Sequence, residues 1–321
     1  MVRIRRTLRL GLLGTGVAAR KLYLPAFRAL EGRVQVVACS SRNERKARAY
    51  AKLAGIPHVE ADAHALFSRD DIDGIFISLP IDAQPEYVLE ALRLGKPVLS
   101  EKPVGPTVAA ARRLIKAAGR FDTPWLIGEN FEYLPQVERL RSWIDQGRLG
   151  DVRLVEVNQF ISMNQKNPYF KTPWRQDPKH IGGFVVDAGV HLAHIVRSCF
   201  GQPRMVKSLK AQFDAALPPV DTVVAALQFE SGVLGTWRSC FCARHDGPML
   251  EVVGSKANAR LGYDWIELWS AGRGVRRYAI HKDTFALQLL HFREVALKRK
   301  RPAVTPQDAL ADLQLMDRLV R

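Results

Sequence analysis

The chain has 321 residues, 47% hydrophobic and 25% charged, which excludes a disordered segment and leaves room for two hydrophobic cores. Its 48 Lys and Arg against 32 Asp and Glu give a formal charge of +16, but the basic residues are dispersed. The densest run, "LKRKRP" at 297–302, is short and carries no nucleic-acid motif, so the charge is read as attraction for small anions rather than for nucleic acid.

The start, "MVRIRRTLRLGLLG", is basic and then apolar. It enters a glycine turn before any cleavage site, and no apolar run reaches eighteen residues; a cytoplasmic protein without a membrane partner is expected. "LRLGLLG" predicts a strand and "GTGVAARKLYLPAFRAL" a helix after the turn. Gly14, Gly16 and Ala19 fill the pattern G-x-G-x-x-[G/A]. The first glycine permits a tight turn, and the second lets a pyrophosphate approach the backbone. The small third residue lets helix and strand pack closely. Val17 and Ala18 lie at the helix start, whose N–H groups would face the anion.

"VQVVACS" is the second strand, followed by the helix "SRNERKARAYAKLAG" closed by Gly55. Where a ribose-binding carboxylate would select NAD, this chain has Ser40, Ser41 and Arg42, with Arg45 and Lys46 one turn on. Two hydroxyls and a guanidinium suit a 2′-phosphate, so NADP is the expected cofactor, with NAD possible. A solvated basic helix start is the alternative, although the helix dipole does not favour cations there. "IDGIFISLP", "KPVLSEKP" and "TPWLIGENFEY" predict further strands, separated by the helices "AQPEYVLEALRLG" and "TVAAARRLIKAAGRFD". This alternation predicts a mostly parallel sheet over residues 1–127, with a cofactor crevice at the strand ends, where "EKP" at 101–103 falls.

From residue 128 the rhythm changes. "NFEYLPQVERLRSWIDQGRLG" reads as a helix and "DVRLVEVNQFIS" as a strand. Six strand-like runs follow: "RMVKSLKAQFD", "TVVAALQFESG", "VLGTWRSCFCA", "PMLEVVGSKAN", "WIELWSAG" and "VRRYAIHK". Residues 128–321 are therefore expected to form an α+β domain on a large, mostly antiparallel open sheet. "DTFALQLLHFREVALKRK" and "TPQDALADLQLMDRLV" predict two closing helices, the second capped by Thr305 with Pro306 and Asp308 in its first turn and able to pack back on the first domain. Cys39, Cys199, Cys240 and Cys242 are too dispersed for a disulfide framework. Alternation puts Cys240 and Cys242 on one face of a strand as reduced thiols.

One stretch resists a purely structural reading. "GGFVVDAGVHLAHIV", residues 182–196, sets Asp187, His191 and His194 four and three apart in an apolar run. The spacing fits a metal site (with His180), a proton-transfer pair, or hydrogen-bonded core polars.

Three blocks in order, "GLLGTGVAA", "GKPVLSEKP" and "GGFVVDAGVH", resemble the Gfo/Idh/MocA family of NAD(P)-dependent oxidoreductases across essentially the whole chain. The resemblance implies a Rossmann domain, then a sheet domain that often forms homodimer or homotetramer contacts. It implies a small polyhydroxylated or carbonyl substrate, with Lys102 beside nicotinamide and the substrate oxygen, and Asp187 and His191 as the other catalytic groups. It also implies a cis peptide before Pro103 and a substrate-side loop at "TPWRQDP", residues 172–178. By the same likeness Leu79, Pro80, Gln84 and Glu101 belong to the cofactor site. Two departures stand out: Gln84 where many members have histidine, and His194 where many have aspartate.

Hydride transfer at an alcohol carbon needs a proton exchanger at its oxygen. His191 suits that role best, while Lys102 can polarise a carbonyl, stabilise alkoxide or share the relay. Asp187 would orient the imidazole or a substrate hydroxyl, and Gly182, Gly183 and Gly189 would let backbone and substrate approach. Glu129 and Asn130 follow a strand end and are candidates for substrate and cofactor contact, an ordinary loop cap being the alternative. Tyr169, Trp174 and Arg175 are pocket candidates, aromatic rings for a sugar face and a cation for an anionic group; the alternative is two core aromatics and a surface arginine. Lys102 would repel a metal held by Asp187, His191 and His194, and the chemistry needs none, so no metal is expected. A catalytically silent NADP-binding sensor is the competing function.

Overall fold

The computed structural model describes residues 6–177, 180, 182–272, 274–280 and 282–321. The start of "MVRIRRTLRLGLLG", Pro178 of the "TPWRQDP" loop and His281 of "VRRYAIHK" lie outside the described residues. The chain divides into two compact units, one running to Asn130 and including Asp283–Leu310, the other Phe131–Lys282 with Ala311–Arg321.

In the first unit β1 (Leu8–Leu13), β2 (Val34–Ser40), β3 (His58–Val59), β4 (Gly74–Ile77), β5 (Val98–Glu101) and β6 (Trp125–Gly128) form one sheet. Its order is β3-β2-β1-β4-β5-β6 and every pairing is parallel. This is the doubly wound dinucleotide-binding order, with the switch point between β1 and β4. The two-residue β3 and the short α3 (Ala63–Phe67) that follows carry too few residues to show a period in the sequence.

The helix expected after the glycine turn contains a wide π turn at Ala19–Tyr23 before α1 (Leu24–Ala29). Pro25 explains it. Proline has no N–H and its ring would strike the carbonyl four residues back, so the helix widens and Leu24 N–H bonds to Ala19 O. The remaining helices follow their start signals. Asn43 caps α2 (Glu44–Ala54), accepting from Lys46 N–H at 2.9 Å, and Gly55 closes it in the left-handed region. Gln84 opens α4 (Gln84–Arg93), and Thr107 caps α5 (Val108–Ala118).

A short 3-10 turn, Asn130–Tyr133, opens on the last residue of the first unit's main segment, and the second unit continues from Phe131 into α6 (Pro135–Asp145). The expected single helix is thus broken before Pro135, because a residue preceding proline is pushed to extended backbone, as Leu134 is (ψ 116°). Then come β7 (Val152–Phe160), α7 (Gly183–Phe200) and β8 (Pro203–Ala211). The remaining strands are β9 (Thr222–Phe229), β10 (Leu234–Cys240), β11 (Leu250–Gly254), β12 (Ala257–Leu261), β13 (Trp265–Ser270) and β14 (Gly274–Ala279). They assemble as β14-β13-β12-β11-β7-β10-β9-β8. All pairings are antiparallel except β7 with β10.

Alternation makes one face of this sheet core: Val223, Ala225, Leu227 and Phe229 of β9 are buried, with Trp237 of β10 fully so. The other face is open and exposes Leu209, Val224, Leu234, Trp269 and Val275. The strand β12 does not stand out from the expected run "PMLEVVGSKAN" because "VVGSKANARL" turns in two residues with no proline. Cys242 lies just past the end of β10, yet its sulfur is 3.5 Å from that of Cys240, and all four cysteines are free thiols.

Two helices end the chain. Asp283 caps α8 (Thr284–Ala296), whose Leu289, Phe292 and Val295 enter the core of the first unit with Leu10, Tyr23 and Phe76. α9 (Pro306–Val320) opens on a reciprocal cap, in which Asp308 accepts from Thr305 N–H at 2.9 Å and Asp308 N–H donates to Thr305 Oγ1 at 3.2 Å.

Phe292 is fully buried and packs against the bare Cα of Gly74. Phe292→Ala is expected to cost about 3–5 kcal/mol, read as a lower urea midpoint. An unchanged midpoint would contradict the placement of α8 in this core.

Candidate functional site

The carboxyl edge of the parallel sheet gathers the proposed nucleotide residues. Gly14 turns the chain out of β1 with φ +99°, a conformation that a side chain resists, and an added Cβ would lie 2.3 Å from Ser78 O at the end of β4. Gly14 N–H in turn donates to Ser40 O at 2.9 Å, tying the ends of β1 and β2 together. Gly16 is different: a Cβ there meets nothing within 4 Å. Gly16 and Val17 are exposed and Ala18 half-buried at the helix start, where first-turn N–H groups have no helical acceptor. An open backbone cradle at a helix start fits a pyrophosphate.

Around it, Ser40 is buried, Ser41 half-buried and Arg42 exposed. Leu79 reaches to within 2.9 Å of the Gly14 Cβ position, Pro80 follows it, and Gln84 is buried at the start of α4. Glu101 ends β5, and half-buried Lys102 follows with a cis bond to Pro103, as the resemblance implied.

Below Glu101 lies a residue the sequence did not disclose. Tyr23 is fully buried, accepts from Gln288 Nε2 at 2.9 Å and hydrogen-bonds to Glu101. Burial, and then the Glu101 charge, hold its phenol well above the usual range, so it serves as a neutral donor. The π turn presents Tyr23 inward, and nothing in the local spacing signals that. Glu129 and Asn130 are also buried; Asn130 donates to Thr284 Oγ1 at 2.9 Å, which commits its amide N–H to holding the start of α8.

In the second unit the polar face of α7 carries Asp187, His191 and His194 at i, i+4 and i+7. Each meets a different partner. Asp187 accepts from Arg175 Nε at 2.7 Å. The Arg175 guanidinium lies over Trp174 at 4.1 Å and over Tyr169 at 4.9 Å, so the three pocket candidates form one group around Asp187. His191 stacks on Phe131, ring centroids 4.4 Å apart and planes 17° from parallel.

His194 is 4% exposed, with Nε2 3.0 Å from Glu132 and Nδ1 3.1 Å from Asp312. Ionised carboxylates only accept, so each ring nitrogen carries a proton. Arg141 binds Glu132 through two N–H groups at 3.0 and 2.7 Å, and Arg197 binds Asp312. Burial pushes the Glu132 carboxyl up, but His194 and Arg141 outweigh it and bring it to about 2. The ring of His180 meets the edge of Trp174 at 5.5 Å. The metal alternative therefore loses its geometry, since both nitrogens of His194 are taken by carboxylates.

The expected role of the glycines in this stretch also changes. A Cβ on Gly183 would lie 2.4 Å from Pro218 O and one on Gly189 2.2 Å from Met316 Cε, so the close approach they permit is that of the protein's own groups.

The Glu132 shift has a definite sign. A depressed carboxyl contributes stability above its unfolded value, 4.5, and loses it as pH falls towards about 2. The unfolding free energy from urea titration should fall through that window, by on the order of 2–3 kcal/mol from this group, and Glu132→Gln should flatten the fall. An equally steep fall in the variant would contradict the assignment.

Comparison with known proteins accords with this arrangement. Residues 8–124 match the model of an oxidoreductase family with an NAD-binding Rossmann fold, and residues 137–260 match the GFO/IDH/MocA C-terminal domain. Dehydrogenase FPY6 of Fusarium mangiferae is 30% identical over 77% of this chain and 75% of its own. D-apiose dehydrogenase of Paraburkholderia graminis is 26% identical over 79% of this chain and 67% of its own. The crystal structure of an oxidoreductase from Thermotoga maritima superposes with a TM-score of 0.92 at 27% identity, covering 98% of this chain and 96% of that one. Glycine turn, sheet order, sheet domain and these likenesses agree: the chain belongs to the Gfo/Idh/MocA family of NAD(P)-binding oxidoreductases.

Proposed function

We propose that this protein is an NADP-preferring oxidoreductase that moves a hydride between nicotinamide and a secondary alcohol or ketone carbon of a sugar, cyclitol or related polyol. The observation that carries the reading is a shared edge: Lys102 leaves β5 at the same carboxyl edge of the sheet where Gly14 leaves β1 and Ser40 ends β2. The sugar named for the D-apiose relative supports the substrate class.

When bound, the nicotinamide supplies or accepts the hydride. Lys102 holds the substrate oxygen, polarising a ketone or stabilising the alkoxide. His191 exchanges the proton at that oxygen. Asp187, paired with Arg175, accepts a hydrogen bond from the imidazole or a substrate hydroxyl. Tyr169 and Trp174 offer flat apolar faces to a sugar ring, while Glu129 faces substrate hydroxyls. Leu79, Pro80, Gln84, Glu101, Asn130, Trp174 and Arg175 complete the cofactor surroundings. Ser40, Ser41 and Arg42 select the 2′-phosphate.

A second copy of the chain is the proposed occupant of the open sheet face, giving a homodimer or homotetramer. Its apolar row includes Leu209, 79% exposed, and Val275, 58% exposed. Ion pairs of both signs, Arg260–Glu251 and Arg277–Glu267, flank it, which suits a self-complementary contact. Four free thiols accord with a cytoplasmic setting.

The test follows nicotinamide absorbance with NADP and NAD over D-apiose, myo-inositol, D-glucose and their keto forms. Turnover should favour NADP, and Arg42→Ala should shrink that preference about tenfold. Lys102→Ala and His191→Ala should each lower kcat by about 100-fold or more. Unchanged turnover in both variants would reject the chemistry, and tight NADP binding without any turnover would favour the sensor. Gly16→Ala should weaken NADP binding while leaving the unfolding free energy from urea titration within about 0.5 kcal/mol of the wild type, whereas Gly14→Ala should lower it by about 2 kcal/mol or more. Equal effects of the two substitutions on stability would contradict the open cradle at Gly16.

A further inference from the structure

We propose that Phe131 is a positioning residue for His191, clasped to α7 by the Glu132 ion network. The inference rests on the reading of His191 as the proton exchanger.

A histidine ring turns about a terminal bond whose torsional preference is broad, so a half-buried imidazole sweeps its two nitrogens through a range of directions. A parallel neighbour removes that freedom, because rotation out of the plane breaks the stack. Phe131 lies 17° from parallel with His191 at a centroid distance of 4.4 Å. Both residues are only half-buried, so the pair adds less to a hydrophobic core than a fully buried pair would. Its distinct consequence is a fixed plane for the nitrogens of His191.

Phe131 cannot hold that plane alone. It belongs to a four-residue 3-10 turn, too short to be stable by itself. The next residue supplies the anchor. Glu132 takes Arg141 on both oxygens, and one of these, Oε2, also takes His194 Nε2. His194 stands one helical turn beyond His191 on the same face of α7. Adjacent residues of the turn therefore grip adjacent levels of the helix, one by stacking and one by charge. Asp312 of α9 holds the other nitrogen of His194, so the grip cannot pivot about that ring. From the side, Tyr263 sets its ring edge-on to Phe131, centroids 6.2 Å apart at 80°, and its backbone carbonyl accepts from Gln136 Nε2 at 2.6 Å. No spacing rule in the sequence brings Phe131 to His191, sixty residues away (191 − 131).

The experiment has two readouts on the full chain saturated with NADP. In the first, the side-chain NMR resonances of His191, assigned with His191→Ala, should sit upfield from the Phe131 ring current. They should lose that shift in Phe131→Leu and Phe131→Met and keep it in Phe131→Tyr. In the second, with whichever sugar of the panel above is turned over fastest, the Leu and Met variants should lower kcat about 10- to 100-fold. Their KM and their NADP affinity should stay within about threefold, and the Tyr variant should restore kcat. Two aliphatic variants are used so that one failing to fold, seen by circular dichroism, leaves the other. A wild-type kcat in the aliphatic variants beside a crippled His191→Ala would overturn the positioning role and leave the proposed function standing. A wild-type kcat in His191→Ala itself would instead overturn the role of His191, and this inference with it.

Discussion

A buried histidine with a carboxylate on each nitrogen is the constraint from which the second unit takes its order. Three charged partners, Glu132, Asp312 and the ring of His194, would each be costly to bury alone; together with Arg141 and Arg197 they satisfy one another. The network joins the turn before α6, the middle of α7 and the last helix. Once α7 is fixed there, the residues one and two turns back along its face, His191 and Asp187, have defined heights and directions. Stack, ion pair and clasp then form a continuous polar edge on an otherwise apolar helix.

The first unit rests on a steric counterpart. Gly14 brings the end of β1 against the backbone of β4 at the switch point, where only a bare Cα fits. Two residues on, Gly16 has open space around it. One glycine thus closes the sheet and the other leaves the helix start uncovered. The edge so formed is where Lys102 emerges, and the nucleotide reading follows from that coincidence of an anion cradle and a cation.

Much of this was legible in the sequence because it is written locally. The parallel strands, the helix end at Gly55, the cap at Thr305 and the face of α7 all follow from periodicity and turn chemistry within a dozen residues. The rest depends on distance. Glu132 and Asp312 lie 62 and 118 residues from His194, and each alone reads as an ordinary surface acid. Arg175 reaches Asp187 from an irregular loop, which has no period to interpret. Tyr23 is hidden differently: Pro25 forces a π turn that breaks the 3.6-residue count, so a helical wheel aims Tyr23 wrongly. The spacing of His194 fits a metal ligand, a proton-transfer partner or a hydrogen-bonded core polar alike, and its two carboxylates could not be named from it.

The central claim is that this edge serves hydride transfer between nicotinamide and a sugar-like alcohol or ketone. It is tested most directly by following the hydrogen itself. Reduction of a keto-sugar with NADPH deuterated at C4 should give product one mass unit heavier, the deuterium on the new carbinol carbon, when the label is on the transferred face. Product formed without deuterium from either face of the labelled cofactor would contradict the account.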